Sequence, residues 1–185
     1  FSPDGDCLAT SDTNGDLQLW DSRNFRQLAR FKGHIHWVWS VCFNRDRTLL
    51  VSGGQDQTVR LWDAQTGDCL QVLREHQGIV TEVAISGDNQ LLASSSQDKT
   101  VKIWNLKTGE CLQTLIVHSS CVWSVQFSPD GQTVVTGSED GTVKQWQIST
   151  GDCLQTLMGH EHWVWSVAIA PDGQTLASSS FDRTI

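Results

Sequence analysis

The feature that most constrains this chain is a repeat of 42 residues that continues without insertion or deletion. Histidine, tryptophan and aspartate each recur at this spacing. The three series are His34, His76, His118 and His160; Trp20, Trp62, Trp104 and Trp146; and Asp56, Asp98, Asp140 and Asp182. A fixed period of this length marks successive copies of one supersecondary unit. The chain is therefore predicted to be an array of similar modules, and its 185 residues hold about 4.4 of them.

One unit, residues 33–73, contains four short apolar stretches separated by turn residues. The predicted strands are 37–43, 48–53, 58–62 and 69–73. The third stretch, "TVRLW", alternates apolar and polar residues as a half-buried strand does. Because no helical period separates the stretches, the pattern predicts sheets packed on sheets.

Two dipeptides frame the unit, since Gly33-His34 opens it and Trp62-Asp63 closes its third strand. The motif "FSPDG" stands at 1–5 and again at 127–131. In these features the whole chain resembles the WD40-repeat family. The resemblance implies an all-β fold, a β-propeller built from four-stranded antiparallel blades around a channel. We expect a single partial propeller over 1–185, with complete blades at 32–73, 74–115 and 116–157 and incomplete blades at 1–31 and 158–185.

The resemblance also implies a hydrogen-bonded tetrad in each blade, in which aspartate, histidine, a hydroxyl residue and tryptophan bond in that order. Serine or threonine occupies the hydroxyl position in every unit. We expect these structural tetrads to comprise His34, Ser52, Asp56, Trp62, His76, Ser94, Asp98, Trp104, His118, Thr136, Asp140, Trp146, His160, Ser178 and Asp182. Buried polar groups need such partners.

A serine, a histidine and an aspartate also form the triad of many hydrolases. Here the set recurs in successive units, whereas an enzyme needs one site, so no catalytic residue is expected. The pairs His34-x-His36 and His160-x-His162 could suggest a metal site, but no further cysteine or histidine cluster accompanies them. We expect no metal and no cofactor.

The first strand of the unit contains a change of parity. Val41 and Phe43 share one parity and Val38 has the other, so a β-bulge at 39–40 is needed if all three are to face the core. Trp37 and Trp39 then point away from it.

The resemblance implies that partners bind the top face through the residues on either side of this first valine and the residue before the turn aspartate. The positions are Trp37, Trp39, Gln55, Ile79, Thr81, Gln97, Cys121, Trp123, Glu139, Trp163, Trp165 and Phe181.

Exposed aromatic clusters are typical of binding hot spots. We therefore expect a non-catalytic scaffold or sensor that binds a protein or peptide on an aromatic top face. Two alternatives remain open, an enzyme with a site in the propeller channel and a purely structural array without a ligand. A rival interpretation of the tryptophans is that they stack on one another and only pack the rim.

The composition further limits the classes of partner that the chain is expected to bind. A net charge of −8 argues against nucleic acid and against an anionic membrane, and no apolar run approaches membrane-spanning length. Six cysteines without a C-x-x-C pair indicate reduced thiols and a cytoplasmic protein. The near-identical repeats resemble bacterial WD40 arrays, which often accompany signalling enzymes, so we expect the module to be part of a larger multidomain chain.

Overall fold

The computed structural model describes all 185 residues, Phe1–Ile185, and consists of strands and turns. Seventeen strands form five antiparallel sheets, in each of which the strands are neighbours in chain order. The predicted all-β class is confirmed. No helix in the structure could cross a membrane.

The residues divide into two compact units, Phe1–Val83 and Ala84–Ile185. The first unit contains two sheets. Their strands are β1 (Cys7–Ser11), β2 (Leu17–Asp21) and β3 (Gln27–Phe31), and then β4 (Val38–Phe43), β5 (Leu49–Gly54), β6 (Val59–Asp63) and β7 (Cys69–Leu73). The division between the units falls within strand β8 (Val80–Ile85).

The second unit contains the remaining strands. They are β9 (Leu91–Ser96), β10 (Thr100–Asn105) and β11 (Cys111–Ile116); β12 (Val122–Phe127), β13 (Thr133–Ser138), β14 (Val143–Gln147) and β15 (Cys153–Leu157); and β16 (Val164–Ile169) and β17 (Leu176–Ser180). Strands β12 to β15 form a complete four-stranded sheet, and β16 and β17 form a two-stranded one. The four strands predicted for 33–73 begin and end within one residue of β4 to β7.

The bulge predicted in the first strand is present. Val38 pairs with Gly54 and Ser40 pairs with Gly53, so Trp39 is the extra residue. The same shift leaves Trp123 extra between β12 and β13, and Trp165 extra between β16 and β17. Because a bulge re-aims the side chain of its extra residue, three tryptophans leave the regular alternation of their strands at the same repeat position.

Two glycines, each in the second strand of its sheet, allow the first strand of the following sheet to approach closely. A Cβ on Gly53 would lie 2.5 Å from Val80 Cγ1, and a Cβ on Gly137 would lie 2.8 Å from Val164 Cγ1. Beside these contacts, Ser40 Oγ accepts the backbone N–H of Val83 at 3.2 Å in the first unit. Each unit therefore contains a site where the second strand of one sheet packs tightly on a valine of the next.

Each unit has its own apolar core. In the first, the buried residues include Leu17, Phe31, Leu50 and Trp62, with Phe31 and Trp62 in edge-to-face contact at 5.9 Å. In the second, the larger core cluster is Ala93, Val101, Ile103, Leu115, Val117, Val122, Val125, Val134 and Trp146. The tetrad tryptophans thus also fill the cores.

Candidate functional site

The tetrad of the first unit is a continuous chain of hydrogen bonds. His34 Nδ1 lies 2.9 Å from Asp56 Oδ1, and His34 Nε2 lies 2.7 Å from Ser52 Oγ. Trp62 Nε1 donates to the same serine oxygen at 2.8 Å. Ser52 and Trp62 are fully buried. The bonds connect the loop before β4 to the second and third strands of the same sheet.

The second unit repeats this geometry. His118 lies 3.0 Å from Asp140 and 2.8 Å from Thr136, and Trp146 donates to that threonine at 3.1 Å. In the last sheet, His160 lies 2.9 Å from Asp182 and 2.8 Å from Ser178.

The other predicted tetrad residues are placed as follows. Trp104 Nε1 donates to Ser94 Oγ at 2.9 Å within the second unit. His76 is buried in the first unit, and Asp98 lies in the second. In the first sheet Trp20 Nε1 donates to Thr10 Oγ1 at 2.9 Å.

A threonine joins each group that contains a turn aspartate, and the predicted tetrads did not include it. Thr58 Oγ1 donates to Asp56 at 2.8 Å, and Thr142 and Thr184 donate to Asp140 and Asp182 at 2.6 Å. The signal was available, because threonine stands two residues after each turn aspartate.

The surroundings of the tetrad in the second unit keep its aspartate ionised and its histidine neutral at neutral pH. Burial raises the pKa of Asp140, but hydrogen bonds from Thr142 and the neighbouring His118 outweigh it and lower that pKa to about 2. Burial lowers the pKa of His118. At neutral pH a neutral imidazole can donate from Nδ1 to the carboxylate and accept the hydroxyl at Nε2, which fills every hydrogen-bonding role.

The second unit also holds a group of touching aromatic rings, which we name the aromatic cluster: Trp123, Trp163, Trp165 and Phe181. The ring centroid of Trp123 lies 4.8 Å from that of Trp165 and 6.1 Å from that of Trp163. Trp163 also contacts Phe181, at 6.0 Å. Trp165 keeps 39% and Phe181 keeps 59% of its surface exposed. The rings therefore pack against one another and remain accessible.

The first unit carries a tryptophan pair, Trp37 and Trp39. Their ring centroids lie 5.9 Å apart with an interplanar angle of 36°, and the side chains are 49% and 41% exposed. Gln55, the third position predicted for this part of the face, is exposed. Its backbone N–H donates to Trp37 O at 2.8 Å, which places Gln55 beside the tryptophan pair.

The same backbone hydrogen bond recurs in the second unit. Glu139 N–H donates to Cys121 O and Phe181 N–H donates to Trp163 O, both at 2.9 Å. One repeated bond thus brings the residue before the turn aspartate next to the residue before the first valine.

The remaining predicted face residues differ in exposure. Ile79, Gln97, Cys121 and Glu139 are partly exposed, whereas Thr81 is buried at 6% exposure. Thr81 occupies the position of Trp39 and Trp123, and its shorter side chain does not protrude from the strand. Thr81 is therefore not part of the exposed face.

His162 contacts the aromatic cluster, although from the sequence it was considered only as a possible metal ligand. Its ring centroid lies 5.0 Å from that of Phe181 and 5.8 Å from that of Trp163. The recurring "GHxHW" motif, which places this histidine directly before Trp163, was the signal.

The sequence matches the family described as "WD domain, G-beta repeat" along almost its whole length. The matched residues are 1–21, 25–63, 67–105, 109–147 and 151–185.

Two curated relatives are similar over shorter segments. One is eukaryotic translation initiation factor 3 subunit I of Schizosaccharomyces pombe, 33% identical over 58 residues, which are 31% of this chain and 18% of the relative. Another is apoptotic protease-activating factor 1 of Rattus norvegicus, 38% identical over 63 residues, with 29% of this chain and 5% of the relative covered.

Proposed function

The chain belongs to the WD40-repeat family, and from this premise we propose that it is a non-catalytic scaffold or sensor that binds a protein or peptide through its exposed aromatic side chains. The tryptophan pair of the first unit and the aromatic cluster of the second are the surfaces that we assign to this role. One of the similar proteins is named as a subunit of a factor, and a role in assembly is consistent with that name.

The observation that carries the proposal is that the rings of the aromatic cluster contact one another and are also exposed to solvent. Trp165 touches Trp123 at 4.8 Å and Trp163 at 5.6 Å, yet 39% of Trp165 is open to solvent. Contacts between the rings restrict their rotamers before a partner arrives, so less conformational entropy is lost on binding. Large rigid aromatic side chains with low ordering cost are typical binding hot spots.

The tetrads support the non-catalytic part of the proposal. Ser52 has the serine and histidine contact of a hydrolase triad, but its side chain is fully buried and its oxygen also accepts the Trp62 indole N–H. A nucleophile needs access to the carbon that it attacks. We propose that the tetrads stabilise the sheets and take no part in chemistry.

We also propose a cytoplasmic location. All six cysteines are unpaired, and Cys69 and Cys153 are exposed. Free exposed thiols fit a reducing compartment.

The experiment that tests the proposal begins with a ligand selected from a random peptide library on the immobilised chain. Its affinity is then measured for the wild type and for the triple variant Trp39→Leu, Trp123→Leu, Trp165→Leu. The matched control is Phe25→Leu, an exposed phenylalanine in the turn between β2 and β3. We expect the triple variant to fold and to lose binding, and the control to keep it.

Unchanged affinity in the folded triple variant would refute the aromatic surfaces as binding sites. If the triple variant unfolds, the rival interpretation holds, in which the rings only pack the rim. Far-ultraviolet circular dichroism and the melting temperature separate these two results.

A further inference from the structure

We propose that the aromatic cluster, together with the Glu139 carboxylate beside the strand that carries Trp123, binds an arginine side chain of the partner. This inference rests on the proposed function and names the chemistry that one part of the surface recognises. It concerns the second unit alone.

The aromatic cluster presents ring faces to solvent. Trp123 and Trp163 are nearly parallel, with an interplanar angle of 23°, and Trp165 meets Trp163 edge to face at 68°. These mutual contacts fix the rings while Phe181 and Trp165 keep much of their surface exposed. A cation over the face of tryptophan or phenylalanine is attracted by the ring quadrupole, and tryptophan is the strongest partner.

A hydrogen-bonded acidic residue, Glu139, lies next to the residue that precedes strand β12, which carries Trp123. Glu139 accepts a hydrogen bond from Ser120 Oγ at 2.7 Å, and its backbone bonds to Cys121, two residues before Trp123. The hydrogen bond from Ser120 lowers the pKa of Glu139, so this carboxylate is ionised at neutral pH. The Cys121 side chain also hydrogen-bonds to this carboxylate, and because Glu139 is partly exposed a further donor can reach it from solvent.

The charges around the aromatic cluster are complementary to a basic side chain. Glu161 and Asp182 adjoin the cluster in the chain, one before His162 and the other after Phe181. The cations in the same region are Lys99, which faces Glu139, and the exposed Arg183. Lys144, which donates to Val117 O, and Asp140 beside Glu139 add one charge of each sign, so four acids stand against three cations, and the whole chain carries a net charge of −8. A basic side chain is therefore attracted, and an acidic one is repelled.

Arginine fits this arrangement better than lysine. Its guanidinium is planar, is weakly hydrated, stacks on aromatic faces and can donate two parallel hydrogen bonds to one carboxylate. Lysine offers a compact, strongly hydrated charge that cannot stack. The cluster supplies faces for stacking and Glu139 supplies the carboxylate.

The test uses the peptides that the complete 185-residue chain selects from the random library. Each arginine in a selected peptide is replaced by citrulline, which has the same shape without the charge, and in a second version by lysine. Affinities are measured by isothermal titration calorimetry for the wild type, Glu139→Gln and Phe181→Leu, with Phe25→Leu as the matched control. Glu139→Gln keeps the size of the side chain, and Phe181→Leu keeps an apolar group at an exposed position.

The expected result is that the selected peptides contain arginine and that citrulline weakens binding at least about tenfold. Lysine should weaken binding by a smaller factor. Glu139→Gln should remove most of the difference between the arginine and citrulline peptides. Phe181→Leu should weaken the arginine peptide, and Phe25→Leu should change nothing.

Two results would overturn the proposal, and they differ in what they leave standing. Selected peptides that bind the aromatic side chains equally well with citrulline or without any arginine, for example proline-rich peptides, refute the arginine site and leave the proposed function intact. Selected peptides whose affinity is unaffected by Phe181→Leu and by the tryptophan substitutions refute both.

Discussion

Trp123 and Trp165 lie on neighbouring sheets with ring centroids 4.8 Å apart, and each is the extra residue of a β-bulge. The repeat period of 42 residues places the same irregularity in both sheets. A bulge removes its extra residue from the ladder and redirects the side chain. Because the bulge recurs in both sheets, the two rings can contact each other while part of Trp165 stays exposed.

The first prediction concerns the buried hydroxyl of the tetrad. Ser52→Ala should lower the free energy of unfolding by about 1–3 kcal/mol, because His34 Nε2 and Trp62 Nε1 both lose their partner in the interior. Urea denaturation followed by tryptophan fluorescence measures the change. The control Ser149→Ala, at an exposed turn position, should stay within about 0.5 kcal/mol of the wild type. Equal effects of the two substitutions would contradict a stabilising tetrad.

The second prediction is a loss of stability in acid that comes in two stages. Burial lowers the folded-state pKa of His118 below its usual 6.5, so its contribution is complete above that pH and is lost as the pH falls. Asp140 has a folded-state pKa of about 2 against the usual 3.8. Its contribution is complete above the usual value and is lost as the pH falls toward about 2.

Urea denaturation at several pH values measures this profile. We expect a constant free energy of unfolding above about pH 7 and a decline below about pH 6.5, which steepens below about pH 4. Asp140→Asn should reduce stability at neutral pH and flatten the steep part, while Asp152→Asn, at an exposed carboxylate, should leave the profile unchanged. A stability that rises between pH 6 and pH 4 would contradict these assignments.

The third prediction concerns the close approach of neighbouring sheets. Gly137→Ala should lower stability by about 1–3 kcal/mol, since the new methyl group would lie 2.8 Å from Val164 Cγ1. Gly159→Ala is the matched control, because nothing lies within 4 Å of its added Cβ. It should be neutral or stabilise by up to about 1 kcal/mol. Thermal unfolding measures the change in stability of both variants. An equally small effect of the two substitutions would mean that the neighbouring sheets can move apart with little loss of stability.

The sequence predicted the strands well because the period repeats every turn as well as every strand. The glycines of "SPDG" and "PDG" at 5, 131 and 173 have φ angles of 77°, 70° and 71°, a region that favours glycine. The equivalent Arg47 also adopts a positive φ, of 62°. The turn geometry therefore continues where the glycine is missing, and the four strands predicted for 33–73 lie within one residue of their observed bounds.

The contacts between the aromatic rings could not be predicted from the sequence. The period shows that Trp123 and Trp165 occupy equivalent positions, but their 4.8 Å contact depends on the spacing of two sheets and on side-chain rotamers. The burial of Thr81 also follows from its side chain, which is much shorter than that of tryptophan at the same repeat position. The sequence is therefore compatible with both binding and rim packing, whereas the structure shows rings that contact each other and solvent.

The fourth prediction concerns the reactivity of the thiols. Burial, with the Glu82 carboxylate adding to it, raises the pKa of Cys42 to about 12, whereas Cys69 and Cys153 are exposed. Because the thiolate is the reactive form, iodoacetamide at pH 8 should modify the exposed pair first and Cys42 at least about tenfold more slowly. Peptide mass spectrometry after short pulses gives the rates. Cys42 is half-buried, and equal rates at Cys42 and Cys153 would contradict a raised thiol pKa at Cys42.

The most direct measurement of the central claim is the two-dimensional nitrogen–proton spectrum of the indole groups with and without a selected peptide. One spectrum reports both classes of tryptophan, the tetrad residues Trp62 and Trp146 and the surface residues Trp39, Trp123 and Trp165. We predict that the peptide shifts at least one surface resonance and leaves the tetrad resonances in place. A bound peptide that shifts the tetrad resonances, or that leaves every surface resonance unchanged, would contradict the account.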